Sequence, residues 1–452
     1  EYALAGLFAL GLPLTYASLG AVLFVAFAGF ILGWYALLRR WLGSPALAAF
    51  GVLATIAWLF LFQTSPTRSV YYFPAMTPYR FWLFVPVVWM ALSQARAPKR
   101  WRRYAIIAVS SLAVFWNLEN GIFAAVAAWL CLAYAEHEAR SREQGVRSGV
   151  SALVQHLGRL ALVWVGAIAV IAGVITGVNW VIVGYPPDWG AYLREVLPFG
   201  TGIGMTPLPL VGLFEMFVVA YAATFAYMLR RMIRREPLDV GALFFALFGA
   251  ASLLYYIGES TWQNLYLVTT PLIGLLLWVF RQVLQRPPTD YTLARLATAG
   301  INAAVVLVAG MLLLKVPVEL GTRDYARIGD SFARPAIADP ALADDAAVLA
   351  RDYRHLNRLA VIHRSDVPLL LTLGKANALD LYYLFNLYYT QQVDVLLAQV
   401  QREQPPVIIV GRVGLLPDQG LDLDDQVRYF RAHLPPNYRV TQQLQTLDIY
   451  ER

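Results

Sequence analysis

Charge is scarce in this 452-residue chain: charged residues are 14% of it against 59% hydrophobic ones, and the mean hydropathy is +0.54. That balance excludes an ordinary water-soluble globular protein. Cysteine is scarcer still. The single Cys131 lies in an apolar run, so no intrachain disulfide can form and cysteine usage leaves the redox compartment open. The five histidines do not cluster at metal-ligand spacing, and Ala135-Glu136-His137-Glu138 lacks the second histidine of a zinc-protease helix. Nucleotide-binding loops are missing too. Leu373-Gly374-Lys375 has no earlier glycine at Walker spacing, and Gly200, Gly202 and Gly204 follow no strand.

The net charge of +7 is unevenly spread. Residues 1–316 carry 22 basic and 12 acidic side chains, a net +10, whereas residues 317–452 carry 14 and 17, a net −3. The basic excess therefore reads as a membrane-topology signal, and no nucleic-acid partner is expected.

What the chain does have is long apolar runs. A bilayer crossing needs about 20 such residues, fewer where helices are short or broken. Ten runs qualify: Tyr16 to Leu38, Pro45 to Gln63, Phe81 to Ser93, Tyr104 to Trp116, Gly121 to Ala135, Leu160 to Val183, Leu208 to Leu229, Val240 to Ile257, Asn264 to Phe280 and Ala297 to Val316. Every second loop between them is rich in arginine and lysine, 18 in all from Arg39 to Arg295, while the other set holds only Arg68, Arg80 and Arg194. Basic residues near span ends stay in the cytoplasm because moving them across against the membrane potential and anionic lipid is costly. Ten spans that start outside also end outside, so the region after Val316 is expected to be extracytoplasmic.

That region reads differently. Residues 317–345 are polar and acidic with Gly321, Pro335 and Pro340, a linker. From 346 to 452, α/β alternation is expected: a helix from about Asp345 to Arg358, apolar runs Leu359 to His363 and Pro368 to Leu373, a helix Asp380 to Glu403, a buried strand Val407 to Val410, a helix Leu423 to Leu434 and a pair Tyr438 to Leu444 and Leu447 to Glu451. Short apolar runs bounded by Pro and Gly suit central strands covered on both faces. The expected fold is thus a polytopic α-helical membrane protein of about ten transmembrane helices, residues 1–316, with a small C-terminal extracytoplasmic α/β domain.

Ionisable groups at the outer face carry the chemistry, because such groups at membrane depth are costly and tend to be functional. Glu119 sits in Trp116-Asn117-Leu118-Glu119-Asn120-Gly121, where a helix breaks between two short runs. Glu259 lies in a tight loop rich in hydrogen-bonding side chains, ending at Asn264. Asp188 and Arg194 belong to the long loop Tyr185 to Pro207. Arg80 follows an aromatic stretch ending at Tyr79. The bland readings are a membrane anchor for each interfacial aromatic and a headgroup or salt-bridge contact for each charge. Glu215, one turn into an apolar run, reads as a snorkelling or paired residue.

The layout resembles the GT-C superfamily of integral-membrane glycosyltransferases. The segments that carry the resemblance are Ala3 to Leu42, Trp116 to Gly121, and Tyr255-Tyr256-Ile257-Gly258 followed by Asn264-Leu265. The resemblance implies transfer of a sugar from a polyprenyl-phosphate carrier to a glycan, lipid or protein acceptor, with inversion, in the plasma (inner) membrane. It implies an aspartate or glutamate in the first outer loop that accepts the acceptor's proton or orients it, and the candidate catalytic carboxylates within this chain are Glu119, Glu259 and Asp188. It implies donor binding by Arg80, Tyr79, Arg194 and Asn264, with a divalent metal left open. In that family the first span and its acidic loop would precede Ala3, so the chain reads as N-terminally truncated with its principal carboxylate upstream. Two rivals stand beside this reading. An O-antigen ligase or polymerase would need a larger outer loop and an outer histidine. A transporter, or a scaffold with an outer partner-binding domain, would need no transfer chemistry.

Overall fold

The computed structural model describes residues 16–60, 82–144, 150–184, 186–190, 193, 212–234, 236–258, 265, 270–285, 337, 339–363, 365–379, 390–412 and 424–452. The described protein is mostly helical with a small C-terminal sheet. Contacts divide it into two compact units, Leu23–Arg323 and one that holds Asp324–Arg452.

In the first unit, nine apolar runs fall on nine helices among the described residues. These are α1 (Tyr16–Leu42), α2 (Pro45–Phe60), α3 (Phe84–Arg96), α4 (Arg100–Trp116), α5 (Leu118–Gln144), α6 (Val150–Val183), α7 (Leu213–Ile233), α8 (Val240–Gly258) and α9 (Thr270–Gln285). The tenth run, Ala297 to Val316, lies outside the described residues. Helix is the expected state, because a segment in lipid must satisfy its own N–H and C=O groups. Five stretches are long and apolar enough to cross a bilayer: Phe24–Leu42, Leu118–Ala139, Val154–Val181, Phe214–Ile233 and Val240–Ile257. Helices α3, at 13 residues, and α4, at 17, are shorter than a full crossing commonly takes. Helix α8 is central, more than half buried, whereas α6 shows nearly all of its apolar surface outward.

An aromatic core of Trp34, Trp41, Phe84, Phe244, Phe245 and Phe248 ties α1, α3 and α8 together. Several of its ring pairs meet edge-on, as between Trp34 and Phe245 at 5.6 Å and 86°, the arrangement that ring quadrupoles favour, while others, such as Trp41 and Phe245, are tilted. The buried indole of Trp34 finds its acceptor in Thr55 Oγ1 at 3.0 Å, so the core leaves that donor satisfied.

Polar contacts gather the basic ends of these helices at one end of the unit. Arg96 Nη2 at the end of α3 donates to Arg40 O near the end of α1, 2.8 Å away. Arg103 at the start of α4 lies 3.6 Å from Glu136 near the end of α5, and His156 near the start of α6 lies 2.9 Å from the same carboxylate. Tyr134 on α5 accepts from Leu238 N, just before α8, at 2.7 Å. Arg281 on α9 donates to Trp41 O at 3.0 Å. The ends of α1, α3, α5 and α9 and the starts of α4, α6 and α8 therefore gather at one end of the unit, in keeping with the arginine distribution.

The second unit is a three-layer sandwich. Helix α10 (Pro340–Asp352), β1 (Arg358–Ile362), α11 (Asp366–Leu373), β2 (Ala376–Asn377), α12 (Thr390–Glu403), β3 (Val407–Gly411), α13 (Asp424–Ala432), β4 (Arg439–Gln443) and β5 (Leu447–Glu451) follow in order. The sheet runs β2-β1-β3-β5-β4, with β1 parallel to β2 and β3, and β5 antiparallel to β3 and β4. Alternation sorts the core: Ala360, Ile362, Ile408 and Val410 face α12 and α13, while Leu359, Val361, Val407 and Ile409 face α10 and α11. Burial on both faces explains why β1 and β3 read as unbroken apolar runs.

Two expectations fail here. The first helix begins at Pro340 instead of about Asp345, because Asp339 caps it through Ala341 N at 3.0 Å and Pro340 fits its first turn. The run Pro368 to Leu373 is helix α11 and not a strand. Its leucines are strong helix formers, and its proline falls in the first turn, where no donor is lost. Asp345, 2% exposed, accepts from Gln445 N, Thr446 N and Thr446 Oγ1 at 3.1, 2.7 and 2.6 Å and so pins the β4–β5 turn to α10.

Candidate functional site

Away from the arginines, the membrane unit turns on one residue. Helix α4 ends at Trp116, Asn117 is extended with φ −152° and ψ 112°, and α5 begins at Leu118. Asn117 Oδ1 accepts from Asn120 N at 3.0 Å, the capping bond of a helix start. The two helices then run back along each other so closely that a Cβ on Gly121 would lie 2.2 Å from Ala113 O. Only glycine fits there.

Glu119 is held in the first turn of α5 by this hairpin. It is partly buried, and the exposed N–H groups of a helix start favour its charge. Asp188 is exposed and follows α6. Its neighbour Trp189 donates to Thr176 Oγ1 at 2.9 Å and meets Phe115, on the last turn of α4, edge-on at 6.0 Å. The segments bearing Glu119 and Asp188 thus come together at the end of the unit opposite the arginine cluster. Arg80, Tyr79, Arg194, Glu259 and Asn264 lie outside the described residues.

One more carboxylate, read from its sequence position only as snorkelling or paired, joins this end. Glu215 stands in the first turn of α7, and its Oε2 is buried without a hydrogen-bond partner among the described residues. Phe214 and Tyr256 pack at 5.1 Å and bring the start of α7 to the end of α8, and Tyr256 feels the charge of Glu215. A carboxylate in an apolar run was the available signal. What it lacked was the pairing of α7 with α8, which no local pattern carries.

Glu119 and Glu215 can accept protons or hydrogen bonds from a hydroxylic ligand. The aromatic rim of Trp58 against Phe217, 6.2 Å apart, and Phe115 against Trp189 suits a ligand that is part apolar. Among the described residues no three His, Cys, Asp or Glu side chains group as a metal site requires. The chain matches no protein-family model and no curated protein in sequence.

Proposed function

We propose that this chain is an integral-membrane glycosyltransferase of GT-C type, set in the plasma (inner) membrane with its site and its C-terminal α/β unit on the extracytoplasmic side. The donor is a sugar on a polyprenyl phosphate and the acceptor a hydroxyl of a glycan, lipid or protein. The observation that carries this reading is Glu119, a carboxylate fixed at the one-residue hinge between α4 and α5, at the arginine-poor end and beside an aromatic rim.

In this reading the acceptor oxygen attacks the anomeric carbon as the bond to the phosphate oxygen breaks. Glu119 takes the acceptor's proton, and the phosphate leaves with its electron pair. Such a base is worth roughly a hundredfold or more in rate. The sugar passes through an oxocarbenium-like state, and cationic donors would hold the departing phosphate. Arg80 and Arg194 are the arginines assigned to that role, with Glu259, Asp188 and Glu215 as secondary carboxylates.

The test is transfer of a labelled sugar from polyprenyl-phosphate donors by the full chain in nanodiscs. Glu119→Gln is expected to lower kcat about a hundredfold while donor binding persists. Full activity in that variant removes Glu119 from the reaction. Solute flux across vesicles without any sugar transfer replaces the reading with a transporter.

A further inference from the structure

The arginine-rich end holds three guanidinium groups, those of Arg40, Arg96 and Arg102, with no carboxylate partner among the described residues. Arg40 feels the charges of Arg96 and Arg102. Among the described residues none of the three pairs with an Asp or Glu. The carboxylates nearby are engaged elsewhere: Glu136 with Arg103 and His156, Glu236 with Arg231 at 3.1 Å, and Asp239 with two indoles. Like charges gathered without a counter-charge cost free energy unless something brings one.

The cluster is also built, not merely crowded. Arg102 Nη1 is anchored on Ser93 O and Ala97 O at 2.9 and 2.7 Å, and Arg96 Nη2 on Arg40 O at 2.8 Å. Arg40 has its guanidinium over the Trp89 ring, 4.8 Å from the centroid, and its Nε atom is buried without a hydrogen-bond partner among the described residues. A buried donor of a charged group left without an acceptor costs free energy that a bound anion would return.

A third feature has the same sign. Helix α4, 17 residues long, starts here with Arg100, Arg102 and Arg103 in its first turn, no acidic residue, and no side-chain cap from Lys99. Cations oppose the positive end of a helix dipole, and an anion would relieve both. The apolar stretch Phe24–Leu42 ends at this point, the level at which a spanning helix would meet lipid headgroups.

We infer that Arg40, Arg96 and Arg102 form a phosphate-binding site between the end of α1 and the α3–α4 turn, for a phosphate carried on a lipid headgroup or free in solution. Guanidinium groups suit it because they meet phosphate oxygens with two parallel N–H bonds. This site lies at the opposite end of α4 from Glu119 and does not depend on the sugar-transfer reading.

The experiment puts the full chain in phosphatidylcholine nanodiscs and titrates inorganic phosphate, then repeats the measurement with phosphatidic acid added to the bilayer, reading thermal stability and lipid retention by native mass spectrometry. Saturable stabilisation by inorganic phosphate identifies a soluble ligand, and retention of phosphatidic acid alone identifies a headgroup. Arg40→Gln and Arg102→Gln are each expected to weaken binding roughly tenfold. Arg39→Gln, which removes the same charge from the exposed neighbouring position, is expected to leave it within about twofold. Arg40→Lys keeps the charge but not the fork, and is expected to fall between. Equal losses from Arg39→Gln and Arg40→Gln, or no saturable binding of either phosphate source by a folded chain, overturn the site.

Discussion

Trp41 and Asp239, 198 residues apart in the chain, are joined by an indole hydrogen bond of 2.9 Å to Asp239 Oδ1. Trp278 donates to the other oxygen at 3.2 Å, and Ala242 N to Oδ1 at 2.9 Å. One carboxylate therefore caps α8 and fastens the end of α1 and the middle of α9 to it. Its place at a helix start favours the charge, and the two indoles supply donors where lysine or arginine would be expected.

Replacing Asp239 with Ala strands both indoles and one backbone N–H. At about 1 kcal/mol or more for each lost bond to a charged acceptor, we expect a loss of roughly 3 kcal/mol. Asp239→Asn keeps one acceptor oxygen and should lose about half as much. Tryptophan fluorescence during unfolding in detergent measures both. Equal stability of wild type and Asp239→Ala would mean that the three bonds do not hold the helix ends.

A methyl group at position 121 cannot be accommodated by a rotamer change, since the nearest atoms are backbone of Ala113 and Val114 at 2.2 to 2.3 Å. Gly121→Ala is expected to part α4 from α5 and cost roughly 2–3 kcal/mol. Gly249→Ala makes an equally short contact, but with the Tyr221 side chain, whose displacement costs less than parting two backbones. The expected order, Gly121→Ala well below Gly249→Ala in thermal stability, is read from the same melts. Glu119 sits two residues from Gly121, so Gly121→Ala should also lower any activity that depends on Glu119.

The helices were legible because lipid makes every spanning segment meet its own hydrogen bonds, and apolar run length alone then marks them. Arginine placement gave their alternation. The break at Asn117 was equally visible, from an Asn and a Gly bracketing Glu119 between two apolar runs. The α10 start and α11 were misjudged because an Asp-Pro cap and a leucine run look the same in a loop or a strand until packing decides. Asp239 and Arg40 are not singled out by the sequence, and Glu215 reads there only as a snorkelling or paired residue, for another reason: their partners are about 40 to 200 residues away, and the value of each comes from those partners.

In the C-terminal unit, Tyr353 Oη donates to Glu451 Oε1 at 2.6 Å. Burial first, and then this bond, push the phenol well above its usual range. Burial raises Tyr438 and Tyr450 as well. A phenol whose pKa is raised by folding holds its proton more tightly in the folded state. Its contribution is intact below the unfolded pKa of about 10 and is lost as pH climbs toward the folded value. We expect the unit to keep its stability up to about pH 10 and to lose it steeply above. Tyr353→Phe should be weaker by about 1 kcal/mol at neutral pH and fall off less steeply in alkali. Protease susceptibility of residues 340–452 from pH 8 to 12 measures this, and parallel profiles would contradict it.

The claim beneath all of these is that the arginine-rich helix ends and the Glu119 end face opposite sides of a membrane. With the buried Cys131 replaced by Ala, single cysteines at the exposed positions 188 and 234 can be labelled in intact cells by a membrane-impermeant maleimide. The account predicts that Asp188→Cys is labelled from outside and Arg234→Cys only after the membrane is opened. Labelling of both from the same side would contradict it.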